Sequence, residues 1–420
     1  MSTFKCGVFF ATLGGMENYI FANDTWKDRL LKRFVKYTAI WSESDGNKAD
    51  EGVFPSTERQ WDFARELEKE LKSLGMDQVV LTENCYIYGR LKASCGNGGT
   101  AASTDKGTST KKESICFLAH MDTVDEVSGK NVKAKITKNE EGDTIITSDG
   151  TTLLGADDKA GVAEIMTALE YFKENPEIPH GEIEVLFSPD EETGHGMDKV
   201  PLELLKSKKA YTLDGGHIGE VEIECFNAWA AHIEFTGKAT HTGDAKKSGM
   251  INANLMLANF LNQLPSTMRP ETTEDREGFI AVMETSGSIA SASCELLLRS
   301  FNMEEINREK EIIKNACADV EKTFGGIIDL TFKEQYLNMH DKIKESGSDV
   351  VDCLIAACKD CGVEPVFKPI RGGTDGSRLT EMGIPTPNIW TGGHNFHSKN
   401  EWASLNQMAK ATDVVIRLNV

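Results

Sequence analysis

The chain has 420 residues, 40% of them hydrophobic and 27% charged, the balance of an ordinary globular protein with room for two or three domains. Lys and Arg total 46 against 66 Asp and Glu, a formal net charge of −20, which repels polyanions and argues against nucleic acid as a partner. No stretch approaches the ~18 uninterrupted apolar residues of a membrane-spanning helix, so no membrane partner is expected. The ten cysteines, scattered from Cys6 to Cys361 without a pairing pattern, point to free thiols in a reducing compartment, with the cytoplasm as the expected location.

Residues 1–24 read as an N-terminal extension. The run from Met1 to Met16 has one short apolar block, Cys6 to Leu13, and no small-residue cleavage site. Thr57–Leu74 has helical periodicity and Val79–Tyr88 reads as a strand, followed by an exposed loop, Lys92–Ser114, rich in Gly, Ser, Thr and Lys. A short apolar strand at Ile115–Ala119 follows. Next come a helix at Asp158–Phe172, with apolar residues at Val162, Ile165, Met166, Leu169 and Phe172, and a strand alternating Ile183, Val185 and Phe187. This β-then-α order predicts an α/β sheet covered by helices on both faces.

From Gly219 the texture changes: strand Val221–Phe235, helix Met250–Leu264, strands Phe279–Glu284 and Ile289–Phe301, helix Met303–Phe324, strand Ile327–Gln335. That is a ferredoxin-like β-α-β-β-α-β module. The α/β texture then resumes, with a helix at Asp349–Cys361, strand Glu364–Pro369, a helix after Gly373, strand Pro387–Trp390 and a final helix from Leu405. The expected organisation is a larger α/β domain in two parts, residues 25–216 and 335–420, interrupted by the module at residues 217–334.

Five segments bring carboxylates or imidazoles to the ends of predicted strands, where α/β sheets hold ligands. His120 and Asp122 follow the strand Ile115–Ala119, and in extended backbone both project to one side, an imidazole to bind metal and a carboxylate to orient it. Taken alone, such a pair is more often a surface pair than a metal ligand and its orienter. Gly155-Ala156-Asp157-Asp158-Lys159-Ala160-Gly161 opens a helix; one aspartate would serve as an N-cap, and the second fits a metal-bridging carboxylate. Ser188-Pro189-Asp190-Glu191-Glu192 crowds carboxylates after a strand, which is either a solvated turn or a cation site in which one glutamate binds metal and its neighbour moves a proton. The segment Ala210–Gly216 puts Asp214 at a strand end, and His394 and His397 lie in Gly392-Gly393-His394-Asn395-Phe396-His397, after the strand ending at Trp390. Jointly, the five favour a metal centre. Cys358 and Cys361 have CxxC spacing but sit in an apolar-periodic helix and read as core.

Through these motifs, and through Arg371-Gly372-Gly373-Thr374-Asp375-Gly376-Ser377, the chain from about Trp26 to its C-terminus resembles the M20 family of di-zinc metallopeptidases, most closely its tripeptide-aminopeptidase branch. The resemblance implies a zinc-peptidase-like catalytic domain with an inserted lid and dimerisation domain. It implies two zinc ions per chain: His120, Asp157 and Asp214 hold one, and Asp157, Glu192 and His397 the other. Asp122 orients His120 and Glu191 is the general base. Two zinc ions bring +4, against −4 from Asp157, Glu192, Asp214 and a hydroxide between them, so such a buried site is formally neutral. No thiol is among the donors, so cobalt or manganese can substitute.

The same resemblance implies that His241, in Thr240-His241-Thr242-Gly243, reaches a substrate carbonyl across a homodimer, and that Arg371 binds a peptide's terminal carboxylate. Thr242 stands where the family pattern has proline, and a polar turn histidine and a surface arginine remain the alternatives for the two residues. His394 is placed at the rim. The implied activity is hydrolysis of the N-terminal residue from tripeptides, with small peptides as partners. A dipeptidase, a carboxypeptidase, a deacylase or a catalytically silent dimeric binding protein is the alternative.

Overall fold

The structure, a computed structural model, describes residues 19–94 and 113–420. The N-terminal extension up to residue 18 and most of the Lys92–Ser114 loop lie outside these residues. The described chain forms two compact units. One comprises the residues up to Val221 together with Asp349–Val366 and Asn388–Val420; the other comprises Glu222–Ser348 and Phe367–Pro387. Phe367–Pro387, which carries Arg371, thus clusters with the second unit, although the residue texture groups it with the α/β segments.

The first unit is built on a sheet in which Ile115–His120 lies between Ile183–Ser188 and Ala210–Gly215, all parallel, with Asn388–Trp390 parallel beyond Ala210–Gly215. Ile87–Leu91 and Gln78–Leu81 extend the other side antiparallel. Every residue of Ile115–His120 and Ile183–Ser188 is buried, as parallel strands are when helices cover both faces. The helix Ala156–Glu174 packs against Ile115–His120 and Ala210–Gly215 and is flanked by the helices Asp24–Thr38 and Leu405–Asn419. Asn23 and Ser404 cap those flanking helices through their side chains, satisfying N–H groups that have no partner in the first turn.

Three expectations need correction. The strand Val79–Tyr88 is a hairpin, Gln78–Leu81 with Ile87–Leu91. Its turn is set by the left-handed Cys85 (φ 66°) and by Tyr86, whose N–H donates to Thr82 Oγ1. The strand Val221–Phe235 is broken into Glu220–Glu222 and Asn227–Thr236. Glu364–Pro369 contributes only the two-residue strand Val366–Phe367. A second sheet was not foreseen: Gly393–His394, Trp402–Ser404, Thr144–Thr147 and Lys135–Lys138, all antiparallel. Strands this short carry no readable period, yet the sheet seats the segment after His397 against Thr144–Thr147.

In the second unit the antiparallel order is Phe279–Gly287, Ser291–Ser300, Asn227–Thr236, Ile327–Tyr336, the ferredoxin-like arrangement. The helices Ala253–Gln263 and Met303–Phe324 cover this sheet, burying Ile233, Phe235, Met256, Phe260, Leu296, Leu298, Ile313 and Val320 in a single core. Cys358 and Cys361 are buried free thiols, as are most of the described cysteines.

The helix Ala156–Glu174 approaches the sheet so closely that a Cβ on Gly161 would lie 2.1 Å from the Leu213 carbonyl oxygen and 2.5 Å from Asp158 Oδ1. Gly161→Ala is therefore expected to lower stability by about 1–3 kcal/mol or more. Gly372→Ala, where nothing lies within 4 Å of the added carbon, should stay within about 1 kcal/mol of wild type. Urea denaturation of the two variants checks this, and equal stabilities would contradict it.

Candidate metal centre

His120 is the last residue of the central strand Ile115–His120 and is buried with Asp122 beside it. Its Nδ1 lies 3.1 Å from the Asp122 carbonyl oxygen and 3.4 Å from Asp122 Oδ1. An Nδ1–H held there leaves Nε2 as the ligand atom, and Nε2 is 2.8 Å from Asp157 Oδ1 and 3.6 Å from Asp214 Oδ1. Asp214 is placed by the adjacent strand Ala210–Gly215, where its N–H donates to Asn388 Oδ1 at 3.0 Å.

The two aspartates at the helix start divide the work. Asp157 and Asp158 have non-helical backbone angles and are joined by a cis peptide bond. Asp158 turns inward: Oδ1 accepts the Gly161 N–H at 3.2 Å and Oδ2 accepts the His120 N–H at 3.0 Å. It caps the helix and fixes the main chain of His120. Asp157 faces the other way, with Oδ1 on His120 and Oδ2 3.2 Å from His397 Nε2. One carboxylate thus stands between two imidazoles whose segments lie far apart in sequence.

His397 Nε2 is also 3.1 Å from Glu192 Oε2. Glu191–Thr193 form a single helical turn after the strand Ile183–Ser188, and buried carboxylates grip this turn. Asp122 accepts the N–H of Glu191 through Oδ1 at 3.0 Å and of Glu192 through Oδ2 at 3.2 Å. Asp190, in the left-handed region at φ 55°, accepts from Ser56 N–H at 2.7 Å, Ser56 Oγ at 2.5 Å and Gln60 Nε2 at 2.6 Å. Asp122 therefore ties the His120 imidazole and the Glu191–Glu192 turn to one side chain.

Two groups result whose donor atoms lie within 4.8 Å of one another: His120, Asp157 and Asp214, and Asp157, Glu192 and His397. They share Asp157. Crowding the carboxylates raises the cost of ionisation. Burial, then the charge of Asp157, pushes Glu192 up to about 8, and the same causes push Asp214 up to about 6. Burial works the same way on Asp157, but the His120 and His397 imidazoles outweigh it and hold Asp157 below the usual carboxylate range. Hydrogen bonds to Asp157 and Glu192 push His397 up to about 11. Glu192 Oε1 is buried without a hydrogen-bond partner, a costly arrangement for a carboxylate oxygen unless a cation completes it. The donor set, imidazole nitrogens and carboxylate oxygens shared through one carboxylate, fits a pair of zinc-like divalent cations.

The structure does not bring every expected residue into this cluster. His241 and Arg371 belong to the second unit. His241 is exposed, and its Nδ1 accepts the Gly243 N–H at 3.2 Å. Arg371 donates to the carbonyl oxygens of Asp275 at 2.9 Å, Glu277 at 3.0 Å and Thr273 at 3.4 Å, and to Thr273 Oγ1 at 3.0 Å. His394 is not at a rim. It is buried, stacked on Trp402 with ring centroids 3.9 Å apart, with Nε2 3.1 Å from Gln407 Oε1. Burial, with help from His217, pushes it down to about 4. Asp158 fills the N-cap role that the sequence leaves to one of the two aspartates, whereas the support from Asp190 and Glu401 does not show in sequence, since a buried carboxylate that accepts backbone N–H groups looks like any solvated acid.

The model of peptidase family M20/M25/M40 matches residues 116–419, and the chain belongs to that family. Within it, the chain is similar to peptidase T of Clostridium perfringens, 42% identical over 415 residues that span 93% of this chain and 98% of that one. Among solved structures it is similar to the aminopeptidase PepT of Bacillus cereus, at 25% identity and a TM-score of 0.73 over 93% of this chain and 97% of that one. A tripeptidase of Staphylococcus aureus, 22% identical with a TM-score of 0.74 over 93% and 97% of the two chains, shares the fold.

Glu192 is pushed up to about 8 and His397 up to about 11, and His120, which burial alone would lower, is held well above the usual imidazole range by Asp122, Asp157 and Asp214, so the metal-free cluster favours protons on its ligand groups. Raised folded-state values mean that the stability these groups lend is full below their unfolded values and is lost as pH rises through the folded ones. For Glu192 that window runs from the ordinary carboxylate range to about pH 8. A cation seated here must displace the protons. Calorimetric titration of metal-free protein with Zn2+ at pH 7, in buffers of different ionisation enthalpy, should show net proton release, and less of it at pH 9. Release that does not fall with pH would contradict the assignment.

Proposed function

We propose that the chain is a dinuclear metal aminopeptidase that removes the N-terminal residue from tripeptides. The observation that carries this reading is Asp157 set between His120 and His397, in a chain 42% identical to a peptidase T. His120, Asp157 and Asp214 would hold one zinc and Asp157, Glu192 and His397 the other, with Co2+ or Mn2+ as substitutes. When bound, the metals supply Lewis acidity, polarising a peptide carbonyl and lowering the pKa of water.

Glu191 is the general base and belongs to neither ligand group. Its carboxylate takes a proton from the attacking water as the new C–O bond forms. It then delivers that proton to the leaving amine nitrogen as the C–N bond breaks. Asp122 holds the Glu191 main chain and the His120 ring together, so base and ligand keep their spacing. His241 is proposed to contact a substrate carbonyl across a homodimer; the resemblance supports this, and a dimeric mass in solution is its first check. Arg371 is proposed for the peptide's terminal carboxylate, in which case its guanidinium must share donors with Thr273, Asp275 and Glu277. Cytoplasmic placement is proposed on the free thiols; among the described residues no helix is long and apolar enough to cross a membrane.

The test is hydrolysis of a tripeptide, a dipeptide and an N-acyl amino acid, with and without chelator. Turnover is expected for the tripeptide, lost on chelation. Preference for either other substrate would move the chain to a dipeptidase, carboxypeptidase or deacylase role, and no turnover at all would leave a binding protein. Glu191→Gln should keep its metal yet lose about 10²–10⁴-fold in turnover, whereas Glu192→Gln should lose metal. Equal metal loss in both would refute the division of roles.

A further inference from the structure

Glu401 belongs to neither candidate ligand group, yet its carboxylate is buried, with the residue 1% exposed, and grips the segment that carries Asp157. Oε2 accepts the N–H of Leu154 at 2.7 Å and of Gly155 at 2.8 Å, and Oε1 accepts the N–H of Asp157 at 3.1 Å. These N–H groups precede and open the helix Ala156–Glu174 and have no partner within it. In the same chain segment, four residues earlier, stands His397, whose Nε2 faces the side chain of Asp157.

The stretch between His397 and Glu401 is a tight turn. Asn395 and His397 both have φ of 55°, the Ser398 hydroxyl donates to the Asn395 carbonyl at 2.6 Å, and the Glu401 N–H donates to the Ser398 carbonyl at 3.3 Å. From Trp402 onward the chain is registered against Ile145, Ile146 and Thr147. One short segment therefore presents an imidazole to the side chain of Asp157 and a carboxylate to its main chain.

We infer that Glu401 is a positioning residue that sets the main chain of Asp157 relative to His397, and so spaces the Asp157–Glu192–His397 group for a cation. The inference rests on the metal-centre reading above. A carboxylate at a helix start is favourable in itself, so the test must separate positioning from capping. Glutamine is isosteric but has one acceptor oxygen in place of two, so Glu401→Gln turns an amide NH2 toward either the Asp157 N–H or the Leu154 and Gly155 N–H groups. Asp143 supplies the control. Its carboxylate holds the Ser404 hydroxyl and, at 3.1 Å, the Asn406 N–H, a clamp a few residues further on that touches no ligand segment.

Metal-free wild type, Glu401→Gln, Glu401→Asp and Asp143→Asn chains are titrated with Co2+, followed by visible absorption, and their thermal midpoints are measured without metal. Glu401→Gln should bind at least one Co2+ about 10–100-fold more weakly and change its absorption band. Glu401→Asp, which keeps both oxygens but withdraws them by one methylene, should weaken binding by a smaller, several-fold factor. Asp143→Asn should lower the thermal midpoint and leave Co2+ affinity unchanged. If folded Glu401→Gln, or Glu401→Asp where the glutamine variant does not fold, keeps both Co2+ dissociation constants within about twofold of wild type, Glu401 is only a turn stabiliser and the inference fails. Wild type that binds no Co2+ is a different outcome and removes the metal centre itself.

Discussion

Placing Asp157, Glu192 and Asp214 side by side with little solvent is the constraint on which the rest of the first unit depends. Like charges a few ångströms apart in a poorly solvated site cannot all ionise without compensation. The raised values of Glu192 and Asp214, and the His120 and His397 imidazoles that hold Asp157 below the usual carboxylate range, are how the metal-free chain meets that constraint. Divalent cations would neutralise the same charges and would also satisfy the oxygen of Glu192 that has no hydrogen-bond partner.

Holding that cluster takes a second layer of acids. Asp122, Asp158 and Glu401 each accept backbone N–H groups on segments that carry candidate ligands or the candidate base, those of Glu191 and Glu192, of His120 and of Asp157 respectively, while Asp190, at the start of the Glu191–Thr193 turn, anchors that turn by accepting the Ser56 N–H. A carboxylate with two oxygens can hold two or three N–H groups in fixed directions, which a hydroxyl or amide side chain cannot do as well. The parallel strands bring the candidate ligands to one edge, and these acids hold the segments that carry them. The close approach of Gly161 to Leu213 belongs to the same design, for it brings the start of the helix and the end of the strand Ala210–Gly215 together.

The parts of this architecture that show in sequence are those with a period or a local grouping. The buried run Ile115–Ala119, the helix after Asp158 and the β-α-β-β-α-β order all follow from apolar spacing, and the acids and histidines at strand ends follow from position. The hidden parts depend on direction or on distant partners. Two adjacent aspartates look alike until the backbone turns Asp158 inward and Asp157 outward. His394 and His397 lie three residues apart, and only the stacking of His394 on Trp402 separates them. Arg371 reads as a donor awaiting an anion, but the loop that offers its carbonyl oxygens, Thr273–Glu277, is distant in sequence. The two- to four-residue strands of the second sheet in the first unit are too short to carry a period at all.

The central claim is that one carboxylate, Asp157, joins two cation sites. Anomalous X-ray diffraction from crystals of zinc-loaded protein, collected on both sides of the zinc absorption edge, tests it most directly. The account predicts two peaks, one among His120, Asp157 and Asp214 and one among Asp157, Glu192 and His397, both within bonding distance of Asp157. A single peak, or two peaks that do not share Asp157, would contradict it.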